Sequence, residues 1–163
     1  MRIETTRFGP LKINREEIIY FPEGLLGFPE NTRFVFIDVE GQPTFRWLQA
    51  IDNPDLAFVV VKPEKFLWSY APRLSLEEKR ALGAERSHNL EFWLIVTIPE
   101  DPAQMTANLR GPLVINRSTR RGRQVVLADE SYSTRHLILK ELEKSVAEVQ
   151  RNGDMLLAAQ TGG

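Results

Sequence analysis

Proline and glycine interrupt the first two thirds of this chain about every ten residues, and this punctuation limits the possible folds more than any other feature. All ten prolines fall between Pro10 and Pro112. Turn signals such as Gly9-Pro10 and Asn53-Pro54 separate short runs that are rich in Ile, Val, Phe and Trp. Such residues suit the pleated, half-buried surface of a strand. The pattern therefore predicts a mainly β protein, built as a small barrel or sandwich.

Nine segments have the composition of strands. They are residues 2–7, 11–13, 18–21, 33–39, 45–51, 56–61, 91–98, 113–115 and 123–128. Their connections are too short for the crossovers that parallel strands need, so we expect a mostly antiparallel, β-barrel-like domain. Two runs, 57–61 and 92–96, are almost wholly apolar, which predicts central strands that are buried on both faces.

Two helices are predicted beside these strands. Ser75 and Glu78 have the spacing of a capping box, which predicts one short helix near 75–82, and Gly83 can adopt the left-handed conformation that ends it. Apolar residues at mixed three- and four-residue spacing form one stripe that begins with Leu137 and predict a C-terminal helix near 134–151. We therefore expect a single domain over residues 1–151 and a flexible tail over 152–163.

The composition excludes several classes of protein. The chain has 163 residues and a net charge of −1, so it fits one domain and lacks the excess of Lys and Arg typical of proteins that bind nucleic acid directly. It has no cysteine, and His88 and His136 are far apart, so we expect no metal site and no cofactor. The N-terminus does not resemble a signal peptide, and no apolar run has the length of a membrane span. These features predict a soluble cytoplasmic protein without a membrane partner.

No group of residues has the spacing of a known catalytic site. Asp52 and Asp55 flank a turn, where aspartates commonly bond their own backbone, and neither histidine lies in a recognised motif. We therefore expect that the protein is not an enzyme. A polar pocket around either histidine, with a carboxylate nearby, would instead indicate a hydrolase.

An arginine cluster supports an alternative function. Its members are Arg117, Arg120, Arg121 and Arg123. Arginines without an acid among them can clamp phosphates, so the alternative is a β-barrel that binds RNA or a cyclic dinucleotide. The other interpretation is a solvated hairpin tip with Gly122 at a positive φ. The cyclic-dinucleotide motif also needs the string D/N-x-S-x-x-G. Asp129-Glu130-Ser131 begins such a string, but Thr134 replaces its glycine, so the sequence favours the hairpin tip.

Four amide side chains lie in apolar or turn contexts. They are Gln49, Asn108, Asn116 and Gln124. A buried amide without a hydrogen-bond partner costs about 1–3 kcal/mol, so such residues usually tie a turn to the edge of a sheet. We interpret these four as structural residues.

Several motifs occur in an order and spacing that point to one family. The first reads Phe21-Pro22-Glu23-Gly24-Leu25-Leu26-Gly27-Phe28, and Trp47-Leu48-Gln49 follows it. A later segment, from Thr106 to Asn116, has the pattern T-x-N-L-x-x-P-x-x-I-N and precedes Gly122-Arg123-Gln124. Over residues 2–140 the chain resembles the flagellar assembly factor FliW family. The later segment and the G-x-Q that follows it are the most specific part of the resemblance.

The resemblance implies a small β-barrel-like domain without catalytic activity and with two protein partners. One partner is flagellin, the filament subunit. The other is CsrA, a small basic RNA-binding dimer that represses flagellin translation. FliW-like proteins bind CsrA and relieve this repression, and flagellin sequesters them until it is exported. The implied function is translation regulation in flagellum biogenesis, combined with a chaperone-like hold on flagellin. The sequence leaves the oligomeric state open.

A basic partner is best met by acids, which steer the encounter and give specificity. Acids at the ends of predicted strands or in turns are Asp52, Asp55, Glu64, Glu100 and Asp101. Three aromatic residues after Pro63 either anchor an interface or face the core; they are Phe66, Trp68 and Tyr70. These eight residues are our candidates for the binding of CsrA or flagellin.

The motif residues themselves are interpreted as scaffold. Gly24 and Gly27 permit backbone angles that other residues resist. We expect Asn108 and Asn116 to hydrogen-bond main-chain groups around Pro112 and to fix the entry into the strand that follows.

Overall fold

The computed structural model of the protein describes residues 1–67, 69–83 and 89–138, and within them the chain is mainly β, as predicted. The strands are β1 (Arg2–Thr5), β2 (Gly9–Lys12), β3 (Ile19–Tyr20), β4 (Arg33–Val39), β5 (Gln42–Ala50), β6 (Ala57–Val61), β7 (Leu90–Thr97), β8 (Thr106–Ala107), β9 (Leu113–Asn116), β10 (Arg121–Gln124) and β11 (His136–Leu137). The described helices are α1 (Leu76–Ala81) and the short 3-10 turns Arg15–Glu17, Pro63–Lys65 and Pro102–Gln104.

The strands pair around a ring. β3, β4, β5, β6 and β7 pair antiparallel in that order, and the first half of β7 pairs with β9. β9 and β10 form a hairpin, and β10 returns to β3 through a single parallel residue pair, Arg121 with Tyr20. The sheet is therefore barrel-like, with a thin closure between β3 and β10. β1 and β2 form a separate hairpin, and β8 and β11 extend the sheet beside β7.

Two apolar cores lie on the two faces of the central strands. The core inside the barrel contains the rings of Phe21 and Phe34, together with Val60 of β6. The second core, on the other face, contains Val59 and Val61 of the same strand. Because alternate residues of a strand point to opposite faces, β6 must be apolar throughout. The prediction that the runs 57–61 and 92–96 form central strands is confirmed.

The helix α1 begins as its sequence predicts. The Ser75 hydroxyl accepts a hydrogen bond from the Glu78 backbone N–H at 3.0 Å, and the Glu78 carboxylate accepts one from the Ser75 N–H at 2.7 Å. Gly83 follows the helix with a φ of 70°. The short helix, its capping box and its glycine stop are therefore confirmed. In the part of the chain that the structure describes, no helix combines the length and the apolar character needed to cross a membrane.

Two predictions about the β9–β10 hairpin are wrong. The last predicted strand, 123–128, is instead β10 at Arg121–Gln124, because Val125 and Leu127 donate hydrogen bonds to carbonyls of the 108–112 turn and not to a strand. Gly122 does not have a positive φ, which occurs at Arg120. Gly122 is needed for space, since a Cβ there would lie 2.5 Å from the ring of Phe21.

The predicted start of the C-terminal helix near 134 is also wrong. His136 and Leu137 form β11, which pairs with Ala107 and Thr106 of β8. The helical pattern placed Leu137 on the buried face, whereas Leu137 is exposed and Ile138 is fully buried. The rest of the predicted helix, 139–151, and the predicted tail, 152–163, lie outside the described residues.

Candidate protein-binding site

Three connecting segments meet at one end of the sheet. They are residues 21–32 before β4, 51–56 between β5 and β6, and 98–105 after β7. The strand register brings them together, because the start of β4 pairs with the end of β5 and the start of β6 also pairs with the end of β5. The end of β7 lies beside the start of β6 by the same pairing.

These three segments carry a concentrated negative charge. They contain six acidic residues and no Lys or Arg. We call this surface the acidic end; its acids are Glu23, Glu30, Asp52, Asp55, Glu100 and Asp101. All six are exposed. A chain with a net charge of only −1 therefore presents one strongly acidic surface.

The acid with a direct cationic partner in the β5–β6 turn is Asp52. Its carboxylate accepts two hydrogen bonds from the Arg33 guanidinium, at 2.9 and 2.5 Å. The Arg33 guanidinium lowers the pKa of Asp52 below its ordinary value, and the same pair raises the pKa of Arg33. Asp52 therefore stays ionised over the physiological range, while part of its charge is compensated.

Glu23 is partly compensated by Arg123, whose guanidinium lies 3.4 Å from its carboxylate, while Asp55 and Asp101 keep most of their charge available to a partner. Asp55 accepts a hydrogen bond from the Thr6 hydroxyl, which ties the β1–β2 hairpin to this end. Asp101 accepts from the Ala103 N–H at 3.0 Å and so caps the 3-10 turn that follows. Hydrogen bonds to a hydroxyl or an amide orient a carboxylate without neutralising it.

The β5–β6 turn is held in place by Gln49, which lies in β5 and is fully buried. Its amide nitrogen lies 3.0 Å from the carbonyl oxygen of Ala50 and 3.1 Å from that of Leu56. The carbonyls of Asn53 and Pro54 are each 3.3 Å away. One side chain thus gathers the carbonyl groups of the turn that carries Asp52 and Asp55.

The segment 21–32 has a fixed conformation. Gly24 and Gly27 have φ values of 67° and 84°. A Cβ at Gly24 would lie 2.4 Å from the Phe28 carbonyl oxygen, so only glycine fits there. The Gln124 side chain accepts a hydrogen bond from the Leu26 N–H at 2.9 Å and donates to the Gly111 carbonyl at 3.0 Å. Gln124 therefore joins this segment to the turn between β8 and β9.

The two asparagines hold the turns on either side of β9. The Asn108 side-chain oxygen accepts from the Arg110 and Gly111 N–H groups at 3.1 and 2.9 Å, next to the buried Pro112. Asn116 donates to the Leu82 carbonyl at 2.9 Å and accepts from the Ser118 N–H at 2.9 Å. Asn116 thus connects the β9–β10 turn to the end of α1, and the expectation that it bonds main-chain groups around Pro112 is wrong.

Not all sequence-predicted binding residues lie at the acidic end. Glu64 is exposed at the opposite end of the sheet, after β6. Phe66 is buried in the second core, where its ring stacks on that of His136 at 5.9 Å. Tyr70 is half-buried and donates to the Leu109 carbonyl at 2.6 Å, and burial raises the pKa of its hydroxyl. For Phe66 and Tyr70 the core-facing alternative therefore holds, and Trp68 lies outside the described residues.

The arginine cluster does not present four unengaged side chains. Arg120 donates to the Glu17 carbonyl at 2.6 Å, and Arg123 lies 3.4 Å from the Glu23 carboxylate. The four residues belong to a hairpin turn and the strand after it, as the second interpretation expected. At least two of the four thus have partners within the chain.

Glu23, Glu30 and the acidic end as a unit were missed by the sequence interpretation. The signal was present in the absence of Lys and Arg from three separate segments, but only the strand register brings those segments together. Within residues 1–67, 69–83 and 89–138 no group of three His, Asp or Glu residues is suited to hold a metal ion. His88 lies outside these residues.

The fold and the site together define a class: a small, mainly β, barrel-like protein with one strongly acidic surface. The family model described as FliW protein matches residues 2–138. The chain belongs to the FliW family of flagellar assembly factors.

Known relatives resemble the chain over nearly its full length. A flagellar assembly factor FliW from Geotalea uraniireducens is 43% identical over 93% of this chain and 92% of its own. One from Alkaliphilus metalliredigens is 39% identical over 100% of this chain and 99% of its own. A crystal structure of the flagellar assembly factor FliW superposes with a TM-score of 0.79 at 30% identity, covering 85% of this chain and 96% of that one.

Proposed function

We propose that this protein acts by binding and not by catalysis, and that it antagonises the translational repressor CsrA and holds flagellin in the cytoplasm before export. Binding to CsrA relieves the repression of flagellin synthesis. Binding to flagellin removes the protein from CsrA while unexported flagellin is abundant. Membership of a family of flagellar assembly factors supports this proposal.

The observation that carries the CsrA part of the proposal is the acidic end. CsrA is a small basic RNA-binding dimer, and a surface with six acids, of which only Asp52 and Glu23 are described as paired with arginines, is complementary to it. Such a surface speeds the encounter and selects against acidic partners. Of the predicted contact residues, Asp52, Asp55, Glu100 and Asp101 therefore belong to the proposed CsrA site, and Glu64 does not.

Titration calorimetry with purified CsrA tests this proposal. Screening shortens the range of electrostatic attraction from about 10 Å at 0.1 M salt to about 3 Å at 1 M. We expect saturable binding at low salt and a Kd that rises about tenfold or more between 50 and 500 mM salt. The absence of binding at low salt would contradict the proposal.

A competition experiment tests the second partner. The complex with CsrA is formed first, and flagellin is then added while CsrA is followed by a fluorescent label. We expect release of CsrA with increasing flagellin. A complex that persists when flagellin is in excess, although flagellin alone binds the protein, would show that the two partners bind independently and would contradict sequestration.

A further inference from the structure

The segment 21–32 carries two large apolar side chains that are exposed to solvent. Leu26 is 60% exposed and Phe28 is 38% exposed. Most large apolar side chains in the described part of the chain belong to the cores. Exposed apolar patches that are rimmed by polar residues mark sites of protein interaction.

Hydrogen bonds at the tip and at the base fix the backbone of this turn. Leu25 and Phe28 exchange hydrogen bonds in both directions, at 3.3 and 2.7 Å, so Leu26 and Gly27 form the tip of a two-residue turn. The Leu26 N–H donates to Gln124 in β10. At its base the segment is closed by the Phe21 N–H, which donates to the Thr32 carbonyl at 2.8 Å.

The side chain of Phe28 packs against an aromatic residue of the sheet. Its ring meets that of Phe58 edge-to-face, with centroids 5.6 Å apart. Phe58 lies in β6, and its ring in turn lies 6.4 Å from the buried ring of Phe34. A partner that contacts Leu26 and Phe28 therefore meets side chains and backbone that are already ordered, which lowers the entropic cost of binding.

The charges around the turn indicate which kind of protein partner it can bind. Glu23 and Glu30 flank it within the same segment, which itself contains no cation, and Arg123 of β10 lies 3.4 Å from the Glu23 carboxylate. Arg33, the first cation after it, is engaged by Asp52. An apolar centre with an acidic rim is complementary to an apolar site that is ringed by Lys or Arg, and it repels an acidic protein.

We propose that Leu26 and Phe28 anchor the basic protein partner, inserting into an apolar site on its surface while the acids around them contact its cationic rim. This inference rests on the proposed function and places the centre of the proposed interface at this turn. The acids steer the encounter, and the turn at Leu26-Gly27 provides the short-range affinity. The partner contacts the turn as a preformed surface, without rearrangement of the segment 21–32.

The test compares Leu26→Ser with Leu76→Ser in titrations with the CsrA dimer at several salt concentrations. Leu76 is 54% exposed and lies on α1, outside the three segments of the acidic end, so it is a matched control. We expect Leu26→Ser to raise the Kd at least tenfold, with the salt dependence unchanged, and Leu76→Ser to leave the Kd within about twofold of the parent protein. Leu26→Met, which keeps an apolar side chain, should remain close to the parent.

The outcomes separate this inference from the proposed function. If the parent protein binds CsrA and Leu26→Ser binds equally well, the anchor is overturned while the proposed function stands. A weaker Leu26→Ser complex whose salt dependence is also flatter would overturn the anchor, because the loss would then come from displaced acids. If the parent protein does not bind CsrA at any salt concentration, the proposed function fails and the anchor with it.

Discussion

Gln49 determines the shape of the β5–β6 turn at the scale of a single residue. Its buried amide faces four carbonyl groups of the turn and its base. We expect Gln49→Ala to lower the free energy of unfolding by about 1–3 kcal/mol, because buried carbonyls lose their donor and a void replaces the side chain. Urea unfolding followed by tryptophan fluorescence measures this loss. A variant as stable as the parent would show that these contacts are dispensable.

The pair formed by Arg33 and Asp52 predicts a specific pH dependence. The pKa of Asp52 is lowered in the folded state from 3.8, so the pair stabilises the protein above that pH and its contribution is lost as the pH falls further. Both groups are partly exposed, which limits the contribution to about 1 kcal/mol or less. We expect Asp52→Asn to be slightly less stable than the parent from pH 5 to 8.

Unfolding measured at a series of pH values tests this prediction. The difference in stability between the two proteins should shrink below pH 3.8, where the parent also loses the charge on Asp52. A difference that stays constant down to pH 2, or one that grows, would contradict the assignment of the effect to this ion pair.

At the scale of an element, the conformation of the turn in segment 21–32 can be tested by substituting its two glycines. Gly24 and Gly27 both have positive φ, but only Gly24 has backbone atoms where a Cβ would be. We expect Gly27→Ala to cost about 1 kcal/mol from strain alone, and Gly24→Ala to cost clearly more, because a clash is added to the strain. Thermal unfolding of the two variants gives the comparison. Equal losses would contradict the close approach of Phe28 to Gly24.

Elements that depend on local signals were predictable from the sequence, and elements that depend on distant pairing were not. The capping box of α1 requires only Ser75 and Glu78, three residues apart, and it is present. β11 forms because His136 and Leu137 meet β8, about thirty residues earlier in the chain, and this overrides a local helical pattern. Gly122 was expected to be glycine because of a positive φ, which is a local reason. The structure requires glycine there because the ring of Phe21 occupies the space of a Cβ.

The candidate site follows the same division. Asp52, Asp55, Glu100 and Asp101 were each predictable as exposed, because acids in turns face solvent. Their position at one end of the sheet follows from the register of β5, β6 and β7, and the same register puts Glu64 at the other end. Burial of Phe66 depends on contacts with the second core, and nothing in the local sequence distinguishes it from an exposed aromatic residue.

At the scale of the whole molecule, the proposed binding depends on where the charge lies and not on its sum. The net charge of −1 hides an end whose three segments carry six acids and no Lys or Arg, and four arginines in and beside the β9–β10 turn contribute to the balance. The proposed antagonism of an RNA-binding protein needs this local complementarity and does not need the basic charge of an RNA-binding protein.

The most direct test of the central claim reverses two charges at the acidic end and two at the opposite end. The double variant Glu30→Lys/Glu100→Lys changes exposed residues at the acidic end, and Glu40→Lys/Glu64→Lys changes exposed residues at the opposite end with the same change in net charge. In titrations with CsrA at low salt, we predict that the first variant raises the Kd about tenfold or more and weakens its salt dependence, while the second binds like the parent. Equal effects of the two variants, or a loss only in the second, would contradict the claim that CsrA binds at the acidic end.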